Sequence, residues 1–352
     1  MNYADGIILC FSLLALVAFG FSVAAASTQL KELSDTGQRG TDSLTLLVPV
    51  RNESLSVLQI LKEQLLSLKD NSAFDFRIID NGSAVPLRFD DVSLDQHILC
   101  TAADVPGSKK SALKLGIEHS HTDWIVTTDA DTRWTHDWLN IIAQQATKDR
   151  SMLVGPVFSE EDGSFCSILS YYESLCLWTI ALASCSAGSP ILASGANLAF
   201  RKSAWLDVGG YASHLSTPSG DDVLLMAEIW RRYPQGIGVL KGRNAYTTTT
   251  SESQIADWMA QRKRWISKTA HLNSPFKKIF SLLIMLWLYS PIVLVLLHPA
   301  FTMLWIGIEF CWIFNLARWY RINYSLPRFL VFRLVYPIMI PFVFFSMPKT
   351  WK

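Results

Sequence analysis

The sequence predicts an α/β domain with a mostly parallel sheet, placed between membrane segments at the two ends of the chain. Between residues 44 and 131, short apolar runs alternate with helical patterns, which is typical of βαβ units. Long uncharged runs occur at 6–26 and beyond residue 279. The chain has 352 residues, of which 50% are hydrophobic, and its mean hydropathy of +0.23 is high for a soluble enzyme. We therefore expect a folded α/β domain carried on a membrane.

The first half of the domain contains four apolar runs of strand length. These are residues 44–50, 76–80, 97–102 and 123–129. A helix with leucines at helical spacing is predicted between the first two runs, ending at about Asp70. A second helix is predicted to about Ser120, with Ser108 as its N-cap. This succession predicts a nucleotide-binding type of sheet.

The second half of the domain is less regular. We predict helices at 134–149, 167–184 and 223–232 and a strand at 151–158. The helix at 167–184 is very apolar, but serines and Glu173 interrupt it, so we do not expect it to span a membrane. It could lie under the membrane surface or in the core, and we interpret it as a core helix. Ser251-Glu252-Ser253-Gln254 resembles a capping box at the start of a further helix.

Two carboxylates, Asp129 and Asp131, end the fourth apolar run. Ligands of parallel sheets bind beyond the carboxyl ends of the strands, so this pair is predicted at a binding edge. If the strand is still extended there, both side chains point the same way. Like charges this close repel unless a cation compensates, and a divalent metal carrying phosphate oxygens would do so. Taken alone, the pair fits a solvated acidic turn equally well.

The helix that follows Ser251 has an unusual face. Trp258, Gln261, Arg264 and Trp265 fall on one side of it at helical spacing. A structural amphipathic helix would more simply carry leucines there. This face could cover anionic phosphates, with Arg264 making bidentate contacts.

Four segments are long and apolar enough to cross a bilayer, which takes roughly 20 residues. They are residues 6–26, 279–298, 300–317 and 329–347. The last carries Arg333, Pro337 and Pro341, so it is either a kinked span or lies partly in the interface, which gives two or three spans in the C-terminal region. A signal peptide is the alternative for the first, but it lacks Lys or Arg and carries Asp5. Basic residues in the loops all fall on one side, which predicts a cytoplasmic catalytic domain, expected at a bacterial inner membrane. Glu309, inside one segment, must be paired or functional.

Charge and cysteine content argue against a nucleic-acid-binding protein and against a cysteine-based metal site. The formal net charge is +1, so there is no bulk electrostatic case for nucleic acid. The six cysteines show no metal-binding spacing, and we interpret all of them as reduced or buried. The predicted division of the chain is an anchor at 1–26, a linker at 27–43, a catalytic domain at 44–270 and a membrane region at 271–352.

The order of the motifs carries more information than any one of them. The motifs are Pro49-Val50-Arg51-Asn52-Glu53, Asp80-Asn81-Gly82-Ser83, Gly107-Ser108-Lys109-Lys110, Asp129-Ala130-Asp131, Gly195-Ala196-Asn197, Gly209-Gly210-Tyr211, Gly220-Asp221-Asp222 and Gln261-Arg262-Lys263-Arg264-Trp265. This succession over 44–270 closely resembles the family 2 glycosyltransferases of GT-A fold. Within them it is most similar to the membrane-bound branch that contains ceramide glucosyltransferases. Many members have Glu-Asp where this chain has Asp221-Asp222.

The resemblance implies an inverting transfer of a hexose from a UDP-sugar to a lipid acceptor, with Mg²⁺ or Mn²⁺ as cofactor. It assigns the donor nucleotide to Asn52, Glu53, Asp80, Lys109 and Asp129, and the metal to Asp131 with Asp129. Gln261, Arg264 and Trp265 would close over the diphosphate and acceptor. Asp222 would be the general base, while Asp221 is the second candidate and could instead cap the helix that follows.

Three alternatives remain at this stage. A processive polysaccharide synthase of the same family would share the motifs, although four spans in 352 residues favour a single transfer to a lipid. Asp129-Ala130-Asp131-Thr132 also fits the opening motif of haloacid-dehalogenase-type phosphatases, in which Asp129 would be the nucleophile. A non-catalytic membrane scaffold on the same fold is the third. The phosphatase leaves the Gln261–Trp265 motif unexplained.

Overall fold

The computed structural model describes residues 40–41, 43–68, 74–101, 108–214, 217, 220–270, 284–292, 295 and 299–345, with the backbone alone at 267–270 and 344–345. The described chain divides into two compact units. The sheet unit contains the described residues of Glu32–Ser159 and Ala187–Thr250. The helical unit contains Glu160–Ser186 and the described residues from Ser251 onward.

Ten strands build two sheets in the sheet unit. They are β1 (Leu44–Val50), β2 (Phe74–Asp80), β3 (Ile98–Cys100), β4 (Trp124–Thr127), β5 (Thr132–Trp134), β6 (Met152–Val154), β7 (Val157–Ser159), β8 (Leu198–Arg201), β9 (Ile237–Val239) and β10 (Thr247–Thr249). The large sheet has the order β3-β2-β1-β4-β8-β6-β9, and the small sheet has the order β5-β10-β7. In the large sheet, β8 is antiparallel to β4 and β6, and the other neighbours are parallel. The predicted α/β class with a mostly parallel sheet is confirmed.

The helices are distributed over both units. The sheet unit contains α1 (Leu55–Leu66), α2 (Val92–Asp95), α3 (Lys109–Glu118), α4 (Trp138–Gln145), α6 (Lys202–Asp207) and α7 (Val223–Arg232). The helical unit contains α5 (Phe165–Ser186), α8 (Ile255–Ala270), α9 (Pro299–Tyr320) and α10 (Leu326–Phe345). The prediction for α7 is confirmed, and the helix predicted at 134–149 is shorter at both ends.

The central strand β1 is buried on both faces, as expected for a parallel sheet covered by helices. Leu44, Leu46 and Val48 pack into one core with Trp138 of α4. On the opposite face, α3 lies close against the strand. A Cβ at Gly116 would be 2.9 Å from Leu47 Cδ2, so glycine permits this close packing.

The strand predicted at 151–158 is wrong as one element. It divides into β6 and β7, which belong to different sheets. The division falls at Gly155-Pro156, where the Asn197 side chain replaces strand pairing. Asn197 Nδ2 donates to Pro156 O at 2.8 Å, and a Cβ at Gly155 would be 2.2 Å from Asn197 Cγ. This contact joins residues far apart in sequence, which a local pattern does not reveal.

Helix α5 is packed inside the helical unit. Trp178 Nε1 donates to Tyr320 Oη of α9 at 2.9 Å, and Tyr172 Oη donates to Ser325 O at 2.9 Å. Most of its side chains are buried, including Glu173, which confirms the interpretation of this segment as a core helix. By length and composition, α5, α9 and α10 are each apolar enough to cross a membrane.

The predicted membrane segments are partly within the described residues. Segments 300–317 and 329–347 correspond to α9 and α10. Segment 279–298 is helical at 284–292, and segment 6–26 lies outside the described residues. Exposed apolar side chains along α10, such as Leu334, Ile338 and Phe342, suit contact with lipid.

Glu309 of α9 is paired. Arg333 of α10 donates from Nε to Glu309 Oε2 at 2.7 Å, and its other nitrogens donate to Leu288 O and Trp287 O. Both charged side chains are at most 2% exposed. The pair therefore joins two apolar helices at a place where a lone charge would be costly. The cysteines among the described residues are free, in agreement with the prediction, and Cys10 lies outside them.

Candidate active site

The acid pair lies in a turn rather than in a strand. Strand β4 ends at Thr127, and Asp129 O accepts a hydrogen bond from Thr132 N at 3.1 Å. The expectation that an extended strand aligns the two side chains is therefore wrong. Both residues still lie at the carboxyl end of β4, and Thr249 Oγ1 of β10 donates to Asp131 Oδ2 at 3.0 Å. The turn thus presents the acids at the predicted edge of the sheet.

Lys109 connects the acid pair to the second acidic motif. It is the first residue of α3, whose N-cap is Ser108 as predicted. Lys109 Nζ lies 2.5 Å from Asp129 Oδ1 and 3.2 Å from Asp221 Oδ2. Burial alone would lower the pKa of Lys109, but the carboxylates of Asp129, Asp221 and Asp222 raise it well above its usual value. The ammonium group therefore stays charged and holds the two motifs together.

Asp221 and Asp222 lie at the start of α7, and both are 7% exposed. The N-cap is Asp222, whose Oδ1 accepts from Val223 N at 2.7 Å. The expectation that Asp221 caps this helix is wrong, because Asp221 faces Lys109 instead. Gly220 before them has φ +90°, a left-handed conformation that turns the chain into the helix.

The segment Gly195–Asn197 is bonded to the end of β4 and passes close to the Lys109–Asp221 ion pair. Thr127 Oγ1 donates to Gly195 O at 2.8 Å, and Thr128 Oγ1 donates to Ala196 O at 3.1 Å. A Cβ at Gly195 would be 3.0 Å from both Asp221 Oδ2 and Lys109 Nζ. Glycine here leaves room for the ion pair, while Asn197 is a buried structural residue.

The residues expected to bind the nucleotide shape two loops at the same edge. Asp80 ends β2, and its carboxylate accepts from Ser83 N and Leu87 N, both at 2.9 Å. Asn52 follows β1 with φ 54°, and its Oδ1 accepts from Ala84 N at 2.8 Å. These bonds tie the two loops to each other and fix the carboxyl ends of β1 and β2.

Glu53 and Asp131 share one electrostatic environment. Burial raises the pKa of Glu53, and the charges of Asp131 and Asp129 raise it further. Burial also raises the pKa of Asp131, followed by the charge of Asp129. Both carboxylates therefore lie in a partly buried environment in which a bound cation would favour their charged forms.

Two carboxylates with phosphate oxygens fit the implied divalent metal. Among the described residues, no three His, Cys, Asp or Glu side chains come together as a complete metal site. Mg²⁺ typically takes one or two protein carboxylates and completes its shell with substrate phosphates and water. Asp129, which is 40% exposed at its side chain, and Asp131 can supply those carboxylates.

Lys110 was missed in the sequence because it lies next to Lys109 in a motif assigned to the ligand. Its side chain is 1% exposed, and its Nζ donates to Thr217 O at 2.8 Å. Thr217 lies a few residues before Asp221. Adjacent lysines thus hold both the second acidic motif and the segment that leads to it.

The remaining predicted residues lie on α8 in the helical unit. Trp258 is buried, Gln261 is half-buried, and Arg264 and Trp265 are exposed, so the four residues differ more than one shared face predicts. Ser251 does not cap the helix, because α8 begins at Ile255 and Ser251 Oγ donates to Glu160 O.

The structure thus places the acidic motifs at the carboxyl ends of the strands, the edge at which open α/β sheets bind their ligands. The family model described as Glycosyl transferase family group 2 matches residues 124–346, more than half of the chain. The chain belongs to this family and is a glycosyltransferase. The match begins at the first residue of β4 and includes Asp129, Asp131, Asp221, Asp222 and α8.

Solved structures agree with the fold. The chain is similar to the mannosyltransferase PcManGT from Pyrobaculum calidifontis in complex with GDP-Man and Mn²⁺, with TM-score 0.55, 16% identity and coverage of 97% of this chain and 96% of that one. It also matches glucosyl-3-phosphoglycerate synthase from Mycobacterium tuberculosis, at TM-score 0.40, 13% identity and coverage of 77% and 82%. The second score is too low to carry an argument. No curated protein matches the sequence. The predicted GT-A fold is confirmed.

Proposed function

We propose that this glycosyltransferase moves a hexose, with inversion, from a nucleotide sugar to a membrane lipid, and that it requires Mg²⁺ or Mn²⁺. The observation that carries the proposal is the Lys109 contact. It brings the acid pair at Asp129 and the acid pair at Asp221 into one cluster at the ligand edge of the sheet. Sugar transfer from a diphosphate needs both a seat for the leaving group and a base for the incoming hydroxyl.

Asp129 and Asp131 form the seat for the diphosphate in this proposal. When bound, the metal would neutralise the charge that builds on the leaving diphosphate. Asp80, Asn52 and Glu53 place two loops around the nucleotide in this proposal, and Lys109 can donate to phosphate oxygens in place of a carboxylate. The donor is a UDP-hexose by family resemblance. PcManGT was solved with GDP-Man and Mn²⁺, which supports a metal and a nucleotide sugar in this fold.

Asp222 is the proposed general base. Asp221 faces the Lys109 ammonium group, which stabilises its charged form and makes it a poorer proton acceptor. Asp222 lies beside it at the N-terminus of α7 and accepts one backbone N–H. A base that removes the acceptor proton, as that oxygen attacks opposite the leaving group, gives inversion.

A lipid acceptor is proposed from the helical unit. Helices α9 and α10 expose apolar side chains, and among the described residues three helices are apolar enough to span a bilayer. A membrane-embedded enzyme meets lipid acceptors at the bilayer face, here proposed to be the cytoplasmic one. The acceptor class is proposed from the resemblance to the branch that contains ceramide glucosyltransferases, which transfer sugar to a lipid. Gln261, Arg264 and Trp265 of α8 bind the diphosphate and acceptor in this scheme.

The test is a product assay with membranes containing the full chain. Membranes are incubated with Mn²⁺, a panel of labelled UDP- and GDP-sugars and extracted lipids, and the products are identified by mass spectrometry. We expect a short glycolipid that disappears when EDTA is added. A high polymer would instead assign the enzyme to the processive synthases. Release of phosphate without sugar transfer, lost on Asp129→Asn, would support the phosphatase and overturn the proposal.

A further inference from the structure

We infer that Arg262, the second residue of the Gln-x-x-Arg-Trp motif, is a positioning residue for Gln261 and Trp265. The inference rests on the proposed function, because those two residues matter only if they bind the diphosphate and acceptor. Arg262 is 2% exposed, whereas Arg264 is exposed. The guanidinium group of Arg262 therefore faces the interior of the helical unit.

The nitrogens of Arg262 are bonded in several directions. Nε donates to Glu173 Oε2 of α5 at 2.9 Å, and Nη2 donates to the same oxygen and to Ser170 Oγ at 2.9 Å. Nη1 donates to Gln261 Oε1 at 2.6 Å. A planar fork with this many donors can fix several neighbours in one plane, a geometry that the single nitrogen of a lysine does not reproduce.

Aromatic rings enclose the same guanidinium group. Its carbon lies 4.2 Å from the centroid of the Trp258 ring and 4.9 Å from that of the Trp265 ring. Trp258 is fully buried and cannot move easily, whereas Trp265 is 36% exposed. The cation–π contact with Arg262 therefore restricts the orientation of the more exposed ring, that of Trp265.

Glu173 connects this arrangement to a third helix. Its second oxygen, Oε1, accepts from Tyr336 Oη of α10 at 2.5 Å. Glu173 thus receives donors from α8 and α10 while it lies on α5, and it is 4% exposed. Both carboxylate oxygens are used, so Arg262 is held in one orientation, and Gln261 is held by Arg262 and by Glu252, to which its Nε2 donates at 3.4 Å.

Arg262 could instead serve only to compensate the buried charge of Glu173. A double substitution at Arg262 and Glu173 separates this structural role from the positioning role. Arg262→Gln alone leaves Glu173 buried without its cation, which we expect to lower the melting temperature of the full chain in detergent. Glu173→Gln with Arg262→Gln removes both charges and can keep a hydrogen bond, so the melting temperature should return close to that of the wild type. We expect sugar transfer to stay at least about tenfold below wild type in this pair, with a raised KM for the donor.

Arg262→Lys is the second variant, in case the neutral pair does not fold. It keeps the charge but loses the fork that reaches Gln261, so we expect about a tenfold loss of kcat/KM with little change in melting temperature. Lys263→Gln, at the neighbouring position on α8, is the control and should transfer at the wild-type rate.

Recovery of transfer together with stability in the neutral pair, or wild-type transfer by Arg262→Lys, would overturn the positioning role and leave the proposed function standing. Absence of transfer by the wild-type chain itself, with every donor of the panel, would overturn the proposed function and this inference with it.

Discussion

The charged groups of the two units differ in how far they remain open to a ligand. In the sheet unit, the paired side chains of Lys109 and Asp129 are 32% and 40% exposed. In the helical unit, the pairs Glu173–Arg262 and Glu309–Arg333 are at most 5% exposed. Partly exposed pairs can exchange partners at small cost, whereas a buried pair that loses one partner leaves a charge without solvent.

This difference indicates which charged groups are available to a substrate and which ones stabilise the fold. The cluster around Lys109 brings several carboxylates around one ammonium group, because Asp129, Asp221 and Asp222 all act on Lys109. Each buried pair of the helical unit is matched one to one and bonded further to neighbouring groups. We therefore expect substitutions in the first cluster to change catalysis and substitutions in the buried pairs to change stability first.

The largest effect on catalysis is expected for Asp131→Ala. Losing a metal-binding carboxylate should weaken Mn²⁺-dependent donor binding by more than the roughly 10–100-fold typical of residues that only support a ligand. Donor binding can be measured by titrating the purified chain with nucleotide sugar, with and without Mn²⁺. Asp123→Ala, an exposed aspartate at the other end of β4, is the control and should bind as the wild type does. Equal binding by both variants would remove Asp131 from the metal site.

The largest effect on stability is expected for Arg333→Met. It leaves Glu309 buried without a partner, which typically costs about 3–5 kcal/mol. Arg231→Met is the control, because Arg231 is 70% exposed in its pair with Glu228 and such pairs contribute about 0–1 kcal/mol. Unfolding in detergent should rank the two variants in this order. Similar losses for both would show that burial does not distinguish these pairs.

A smaller catalytic effect is expected for Gly195→Ala. The added methyl group would lie 3.0 Å from Lys109 Nζ and Asp221 Oδ2, so the flexible lysine must shift away. We expect about a tenfold loss of kcat/KM, since small misplacements in active sites are costly, with the fold retained. Gly307→Ala, where nothing lies within 4 Å of the added methyl group, should be neutral. A fully active Gly195→Ala enzyme would show that the Lys109–Asp221 spacing is not critical.

The smallest effect concerns pH in the presence of a chelator. The pKa of Asp131 and of Glu53 is raised in the folded chain, so the folded state binds more protons than the unfolded state in mildly acidic solution. Where the folded state holds more protons than the unfolded state, the free energy of unfolding decreases as the pH rises. These two groups therefore make the folded state more stable as the pH drops through their raised pKa values. Thermal unfolding of Asp131→Asn should show a weaker rise toward acidic pH than the wild type. An identical pH profile would show that protonation of Asp131 does not contribute to this pH dependence.

Local patterns predicted most of the first half of the sheet unit and helix α7 of its second half. β1, the Ser108 cap and α7 follow from apolar periodicity and capping chemistry, which depend on residues close in sequence. The order of motifs also grouped the carboxylates of the proposed site, and Lys109 contacts Asp129 and Asp221 in the structure.

What the sequence did not predict depends on distant contacts. The break at Gly155 follows from the Asn197 side chain, and the cap at Asp222 follows from Lys109 attracting Asp221. Arg262 looked like a spacer within the motif because its partner, Glu173, is 89 positions away. The one available signal was a lone Glu173 in an apolar helix, which requires a buried partner.

The most direct test of the account is the pair Asp222→Asn and Asp221→Asn in the lipid product assay, with donor binding measured in parallel. Asparagine can still accept from Val223 N, so Asp222→Asn should keep the helix cap and the fold. The account predicts that Asp222→Asn binds donor normally but loses transfer by about 10²–10⁴-fold, the usual contribution of a general base. Wild-type transfer by Asp222→Asn would contradict it, and loss confined to Asp221→Asn would assign the base to Asp221.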